Sequence, residues 1–143
     1  MSHLTYFNYP GFGEQYADMY SQAVRVGDRI ELAGQGGWDP ATGAIPADTP
    51  ASAQIEQAFK NVDMALRHAG ASGGWSQVFR VNSYHIPLDD AVLAKMKAEF
   101  EKWMGSSAKT GGHRPIWTCI EVPKLGLDNM KVEIEVVAHV PAA

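Results

Sequence analysis

The stretch from Arg114 to Val140 reads RPIWTCIEVPKLGLDNMKVEIEVVAHV, two β-branched runs around a short loop. In the second run Val132, Ile134, Val136 and Ala138 alternate with Glu133, Glu135, Val137 and His139. Successive strand side chains point to opposite faces, so both carboxylates and the histidine share one face. The first run alternates likewise, with Trp117, Cys119 and Glu121 on one face and Ile116, Thr118, Ile120 and Val122 on the other. If the two strands pair in the register their alternation suggests, Glu133, Trp117 and Cys119 face one cleft.

Working outward, Ser21 to Val26 and Arg29 to Ala33 are short apolar-rich runs about Gly27-Asp28, the pattern of a β-hairpin. Gly34 to Pro50 is rich in turn residues and reads as a loop. Thr49 and Pro50 suit an N-cap and first helical position. The apolar stripe Ile55, Phe59, Val62 and Leu66 then predicts a helix over about 50–69, stopped near Gly70. Gln77 to Ile86 has strand character and Pro87 closes it. Asp89 or Asp90 caps a second helix that carries Leu93, Met96, Phe100 and Trp103 on one face and ends at Gly105. Ser106 to Gly112 is small and polar, a mobile loop by composition. The order is β-β-α-β-α-β-β in a single domain spanning 1–143, and one sheet backed by two helices is the economical α+β arrangement.

Composition narrows the function classes. The chain has 143 residues, a formal charge of -4 and one cysteine. Such a charge gives no electrostatic footprint for nucleic acid or an anionic membrane. No apolar run approaches the roughly 20 residues of a membrane helix, and Met1 to Pro10 lacks the basic and apolar regions of a secretory signal. The expectation is a cytoplasmic protein. A lone Cys119 forms no internal disulfide, and the scattered histidines offer no metal-ligand spacing, so neither a metal nor another cofactor is expected.

The pattern T-C-I-E-V-P-K-L-G followed by V-E-I-E-V-V-A-H resembles the C-terminal signature of the Rid family, also called YjgF/YER057c/UK114. Further back, Tyr20-Ser21-Gln22-Ala23-Val24 before Gly27-Asp28, then Leu32-Ala33-Gly34-Gln35 and Asp39-Pro40-Ala41-Thr42-Gly43, fall in that family's order and spacing. The likeness covers roughly residues 18 to 140. It implies a chorismate-mutase-like fold in which three subunits close their sheets into a barrel, with a ligand cleft at each subunit interface. A homotrimer agrees with the residues in one respect. With both helices on one face, the sheet face bearing Val137 and the indole of Trp117 is incompletely covered in a monomer.

The resemblance also implies roles. Glu133, the first glutamate of the E-I-E pair, matches the residue that places the hydrolytic water. Hydrolysis of an enamine or imine needs a proton delivered and a water added, which a carboxyl of raised pKa can do. The competing reading of Glu133 is a solvated strand carboxylate, and Glu135 reads as structural. Cys119 matches a cysteine lining the cleft. With no cation or helix N-terminus assignable beside it, it reads as wall and backbone donor, not nucleophile. Tyr20 matches a cleft-edge residue supplied across the interface. The catalytic set is therefore Glu133, Cys119 and Tyr20. The substrate-binding set is Gly34, whose missing side chain permits close approach, Trp117 and His139, which could pair with Glu135 for acid–base work. His85 ends a strand as His139 does, and the two meet only if those strands are neighbours. Gly34-Gln35-Gly36-Gly37 lacks the Lys-Ser/Thr of a phosphate loop.

Trp117 departs from the family pattern. Members acting on amino-acid-derived imines carry an arginine two residues before the cysteine, which grips the substrate carboxylate in bidentate fashion. Tryptophan offers one N–H donor and a broad apolar face instead. Odd spacing along the strand sends Arg114 to the opposite face unless the chain bends at Pro115. The function expected is an enamine/imine deaminase-like hydrolase, or a tautomerase or cyclase derived from it, acting on a small molecule without a clamped α-carboxylate. The alternative is a non-catalytic ligand-binding or chaperone-like trimer using the same cleft. A ribonuclease is disfavoured, because this acidic chain lacks clustered Lys/Arg interleaved with aromatics.

Overall fold

In a computed structural model, which describes residues 1–106, 109 and 111–142, the chain forms one mixed sheet with two long helices on one face. The elements are β1 (Thr5–Phe7), a single helical turn α1 (Phe12–Gln15), β2 (Ala23–Val26), β3 (Arg29–Leu32), β4 (Gln35–Gly36), α2 (Ala51–His68), a 3₁₀ turn (Gly74–Gln77), β5 (Val78–His85), α3 (Asp90–Met104), β6 (Ile116–Glu121) and β7 (Val132–His139). The strand order is β1-β2-β3-β7-β5-β6, with β4 also paired to β7. All neighbours are antiparallel except β5 and β6. This is the expected β-β-α-β-α-β-β order with β1, α1 and β4 added.

The hairpin turns at Gly27, whose φ of 61° lies in the left-handed region that glycine enters without penalty. Past β3 the chain stays on the same edge of β7, but not in step. Glu31 faces Val137 and Gln35 faces Ile134, so β3–β4 spends one residue more than β7 over that interval. The extra residue is a bulge-like kink that brings Gly34 against β7.

One sheet face is sealed. Val132, Ile134, Val136 and Ala138 of β7 are buried with Val81, Ser83 and His85 of β5 against Ile55, Phe59, Val62 and Leu66 of α2, each at most 1% exposed. Each such apolar side chain contributes about 1.5–3 kcal/mol by leaving water. The stripe on α3 keeps Met96 and Phe100 of the expected one and differs at its two ends. Val92, Met96, Phe100 and Met104 are buried, while Leu93 is 40% exposed. Glu99 occupies a buried place on that stripe, its carboxylate accepting the Trp103 indole N–H at 3.1 Å and pairing with Lys95 at 3.0 Å.

Helix starts follow the sequence in one case and not in the other. Asp89 caps α3, its carboxylate accepting the Val92 N–H at 2.9 Å. At α2 the cap position is Pro50, which makes no side-chain bond to the helix, and the Thr49 hydroxyl donates to the Pro46 carbonyl instead. Gln54 anchors this helix end by donating to the Asn129 carbonyl and accepting the Lys131 N–H. The loop expected at Ser106 to Gly112 includes positions outside the described residues.

Candidate functional site

On β7 the sealed and open sides alternate, and Glu133 falls on the open side. It lies between Tyr84 of β5 and Gly36 of β4. The β3–β4 kink presses Gly34 onto it so closely that a Cβ on Gly34 would meet Glu133 Oε1, Cγ and Cδ at 2.2, 2.5 and 2.6 Å. Absence of a side chain at Gly34 is what lets the carboxylate lie there. Burial raises the Glu133 pKa, and the Glu135 charge on the same face raises it further. Glu133 closes one wall of a cavity of about 240 Å³ that also presents Tyr20, Tyr16, Phe12, Trp38 and Met130. Burial likewise raises the Tyr20 pKa; a bond from Gln22 works against it, and the Glu133 charge adds to it.

A polar chain underlies this cavity. The Trp38 indole N–H donates to the Tyr9 hydroxyl at 3.3 Å, which donates to Gln35 Oε1 at 2.7 Å, and Gln35 Nε2 donates to Gln22 Oε1 at 2.8 Å. Every member is at most 2% exposed, so the floor is shielded from solvent. The neighbouring glycines serve packing, since a Cβ on Gly36 or Gly37 would run into the Trp38 ring or the Gln54 backbone. Glu135 is structural in its contacts. Tyr84 donates its hydroxyl and Asn82 its amide to one Glu135 oxygen, and that bond, more than burial, pushes the Tyr84 pKa up to about 12.

Trp117 and Cys119 lie on the other face. β6 does not touch β7, because β5 runs between them. Trp117 pairs with Val81 and Cys119 with Ser83, and Val81 and Ser83 point to the sealed side with Val136 and Ile134. The expectation of one face shared by Glu133, Trp117 and Cys119 is thus corrected: Ile116 and Ile120, 58% and 44% exposed, stand on the open face where the indole was expected. Trp117 packs edge-on to Phe100 of α3, ring centres 5.1 Å apart, and donates its N–H to Ser83 Oγ at 2.9 Å. Burial raises the Cys119 thiol pKa, with a bond from Ser83 offsetting part of the rise, the opposite of what a nucleophile needs.

Ser83 Oγ also lies 2.9 Å from His85 Nε2. His85 is fully buried, and desolvation pushes its pKa down to about 4. β5 and β7 are neighbours but antiparallel, so His85 faces Val132 and lies at the opposite end from His139. The exposed His139 sits 3.1 Å from Asp28, six residues along β7 from Glu133 and so roughly 20 Å away. It reaches neither Glu133 nor Glu135. Arg114 precedes β6 and escapes its alternation. Its guanidinium donates to the Gly105 and His113 carbonyls, and it lines the same groove as Trp117.

Among the described residues no three His, Cys, Asp or Glu side chains converge to hold a metal ion, and no helix is long and apolar enough to cross a membrane. The family model Endoribonuclease L-PSP matches residues 14–140. The chain belongs to this family, the Rid or YjgF family. Among its relatives, a RutC family protein of Pyrococcus abyssi is 33% identical over 84% of this chain and 85% of that one. The 2-iminobutanoate/2-iminopropanoate deaminase of Escherichia coli K12 is 32% identical over 83% of this Rid chain and 85% of the enzyme. Rv2704 of Mycobacterium tuberculosis, a solved member of the YjgF/YER057c/UK114 family, superposes with a TM-score of 0.71 at 25% identity, covering 96% of this Rid chain and 99% of its own.

Sequence reasoning singled out Glu133, Gly34 and Tyr20, and the fold brings these three together. It missed Tyr84 and the Tyr9–Gln35–Gln22 floor. Tyr84 shares the open face with Asn82 and Arg80, in alternation with the buried Val81, Ser83 and His85, a signal readable once β5 is known to lie beside β7. The floor joins residues far apart in the chain and left no local signal.

Proposed function

We propose that this protein is a cofactor-independent hydrolase of enamines, imines or related enol-type small molecules, working at clefts between the subunits of a homotrimer. The observation that carries this is Glu133 itself: a half-buried carboxyl of raised pKa, laid over Gly34, at the mouth of a mostly apolar cavity beside Tyr20. The E. coli relative named as an imine deaminase supports the reaction class.

In this mechanism the Glu133 carboxyl donates its proton to the imine nitrogen, or to the enamine carbon, leaving an iminium. The resulting carboxylate takes a proton from water as that water's oxygen bonds to the iminium carbon. The same group returns that proton to nitrogen and then, as the C–N bond breaks, takes the hydroxyl proton, so that ammonia and a carbonyl product leave and the carboxyl is restored. Gly34 contributes backbone polar groups and Tyr20 orients the substrate or the water. Trp117 and Cys119 point away from Glu133 within one subunit, so in this reading a neighbouring subunit brings them to the cleft, Trp117 as a flat wall and Cys119 through its backbone. The exposed Ile116 and Ile120 on the uncovered sheet face favour such an assembly. Absence of an arginine at position 117 points to a specialised substrate.

The same absence favours a second reading, a ligand-binding or chaperone-like trimer without catalysis. A nuclease gains nothing from a chain of net charge -4. The deciding experiment is ammonia release from a panel of imines and enamines generated in solution. Release faster than in buffer is expected for at least one member; none accelerated across the panel, with ligand binding retained, selects the second reading.

A further inference from the structure

The buried chain beneath the Glu133 cavity has a direction, and its first member sets it. An indole N–H donates and never accepts, so the Tyr9 oxygen accepts from Trp38 and its proton goes to Gln35 Oε1. The Gln35 amide is locked the same way round a second time, because its Nε2 also donates at 3.2 Å to the Ala33 carbonyl, which can only accept. Gln22 therefore turns its oxygen to Gln35 and keeps its Nε2 for the other side.

That nitrogen is the open end of the chain. Gln22 is 1% exposed, yet its Nε2 has no partner within hydrogen-bond distance among the described residues. A buried donor left unpaired is costly, so an acceptor must close up to it. The group it bears on is the Tyr20 hydroxyl, whose ionised form it favours, as an N–H aimed at the oxygen does. Tyr20 in turn lines the cavity with Glu133. Donors aligned head to tail polarise one another and strengthen the last of them.

We infer that Gln22 is a positioning residue of the hydrolase: held by the chain that starts at Trp38, it donates to the Tyr20 oxygen and leaves the Tyr20 O–H to donate into the cavity, to the nitrogen of the substrate or the oxygen forming on it. The inference rests on the hydrolase reading and divides the work within it. With its acceptor side taken by Gln22, Tyr20 serves the substrate and is no base for the water, which leaves Glu133 as the group that moves protons.

The test has a spectroscopic and a kinetic arm, both on the full chain in its native assembly. In wild type with isotope-labelled glutamine, the Gln22 side-chain amide protons are expected to exchange slowly with solvent and to show nuclear Overhauser contacts to the Tyr20 ring. Contacts to the Gln35 side chain and none to Tyr20 would mean that the amide is turned round, and overturn the proposal. This arm decides even where a variant does not fold. In the kinetic arm Gln22→Met keeps the side chain's length and leaves Gln35 its Ala33 bond. On the imine turned over fastest it is expected to lower kcat by about threefold to tenfold with KM within about twofold, the loss of one directed hydrogen bond. Tyr20→Phe should lower kcat at least as far, and the double variant should be no worse than Tyr20→Phe alone. Losses that multiply in the double variant overturn the proposal, because Gln22 would then act independently of Tyr20. Contacts to Tyr20 without turnover of any imine remove the hydrolase reading and keep the bond from Gln22 to Tyr20. Glu133-dependent turnover that Gln22→Met leaves unchanged keeps the hydrolase and removes the positioning role.

Discussion

Gly34→Ala tests whether the kink between β3 and β4 exists to seat Glu133. The added Cβ would stand 2.2 Å from Glu133 Oε1, 2.5 Å from Cγ and 2.6 Å from Cδ, more than about 1 Å inside ordinary carbon contact. The backbone at Gly34 is outside the left-handed region, so the main chain does not resist alanine and the clash falls on the glutamate. Overpacking of this kind costs about 1–3 kcal/mol. The lower end is expected, because the glutamate can swing away. Swinging away removes the proton-transfer group, so kcat falls by about 10²–10⁴. In a Glu133→Ala background all three clashing atoms are gone. There Gly34→Ala becomes neutral or stabilises by about 0.4–1 kcal/mol through the unfolded chain. The assay is urea unfolding of the two single variants and the double variant at one protein concentration, alongside ammonia release. A coupling of about 1–3 kcal/mol is expected. The same destabilisation by Gly34→Ala with and without the Glu133 side chain would refute the reasoning.

Light scattering at micromolar concentration is expected to give a trimer, and a monomer removes every cross-subunit role assigned above. His85 predicts a pH effect. Its folded pKa of about 4 lies below the ordinary 6.5, so its contribution is present above 6.5 and lost as pH falls toward 4, by about 3 kcal/mol. His85→Gln, which can keep the Ser83 bond, flattens that part of the stability curve, whereas parallel curves for the two proteins disprove the assignment. Trp117→Arg should raise kcat/KM on small amino-acid-derived imines by about tenfold or more, since a charge-assisted pair with a carboxylate is worth about 1.5–3 kcal/mol. Wild type turning over 2-aminoacrylate-type imines as well as arginine-bearing relatives do removes the idea of a lost clamp.

The central elements were legible because their signals are local. The apolar stripe of α2, the cap at Asp89 and the alternation of β7 each need only a short window of sequence. Elements that depend on distant partners were not. β1 is three residues long and exists because Tyr6 and Phe7 pair with Val24 and Ala23. β4 is two residues held against β7. The α3 stripe was read correctly at Met96 and Phe100 but not at its start, because Leu93 and Val92 are both apolar and only packing against the sheet chooses between them. The site divides in the same way. Glu133 could be placed from its own strand, since the buried and open sides of β7 follow from hydrophobicity alone. Trp117 could not, because its face depends on β5 lying between β6 and β7 and on the register of both pairings. The most polar-looking face of β6 in sequence, carrying Cys119 and Glu121, turned out to be the helix side. Arg114 lies just before the strand, where alternation does not apply.

The most direct measurement is kcat for Glu133→Gln and Cys119→Ser on the substrate that wild type turns over fastest, with light scattering confirming an unchanged assembly. Glutamine keeps the shape and hydrogen bonding of Glu133 but cannot deliver or accept the proton, so a loss of about 10²–10⁴ is expected. Cys119→Ser should cost far less, because burial holds that thiol in its neutral form. The opposite ranking, an inactive Cys119→Ser beside a Glu133→Gln near wild type, would contradict the water-and-proton mechanism and place a thiolate at its centre.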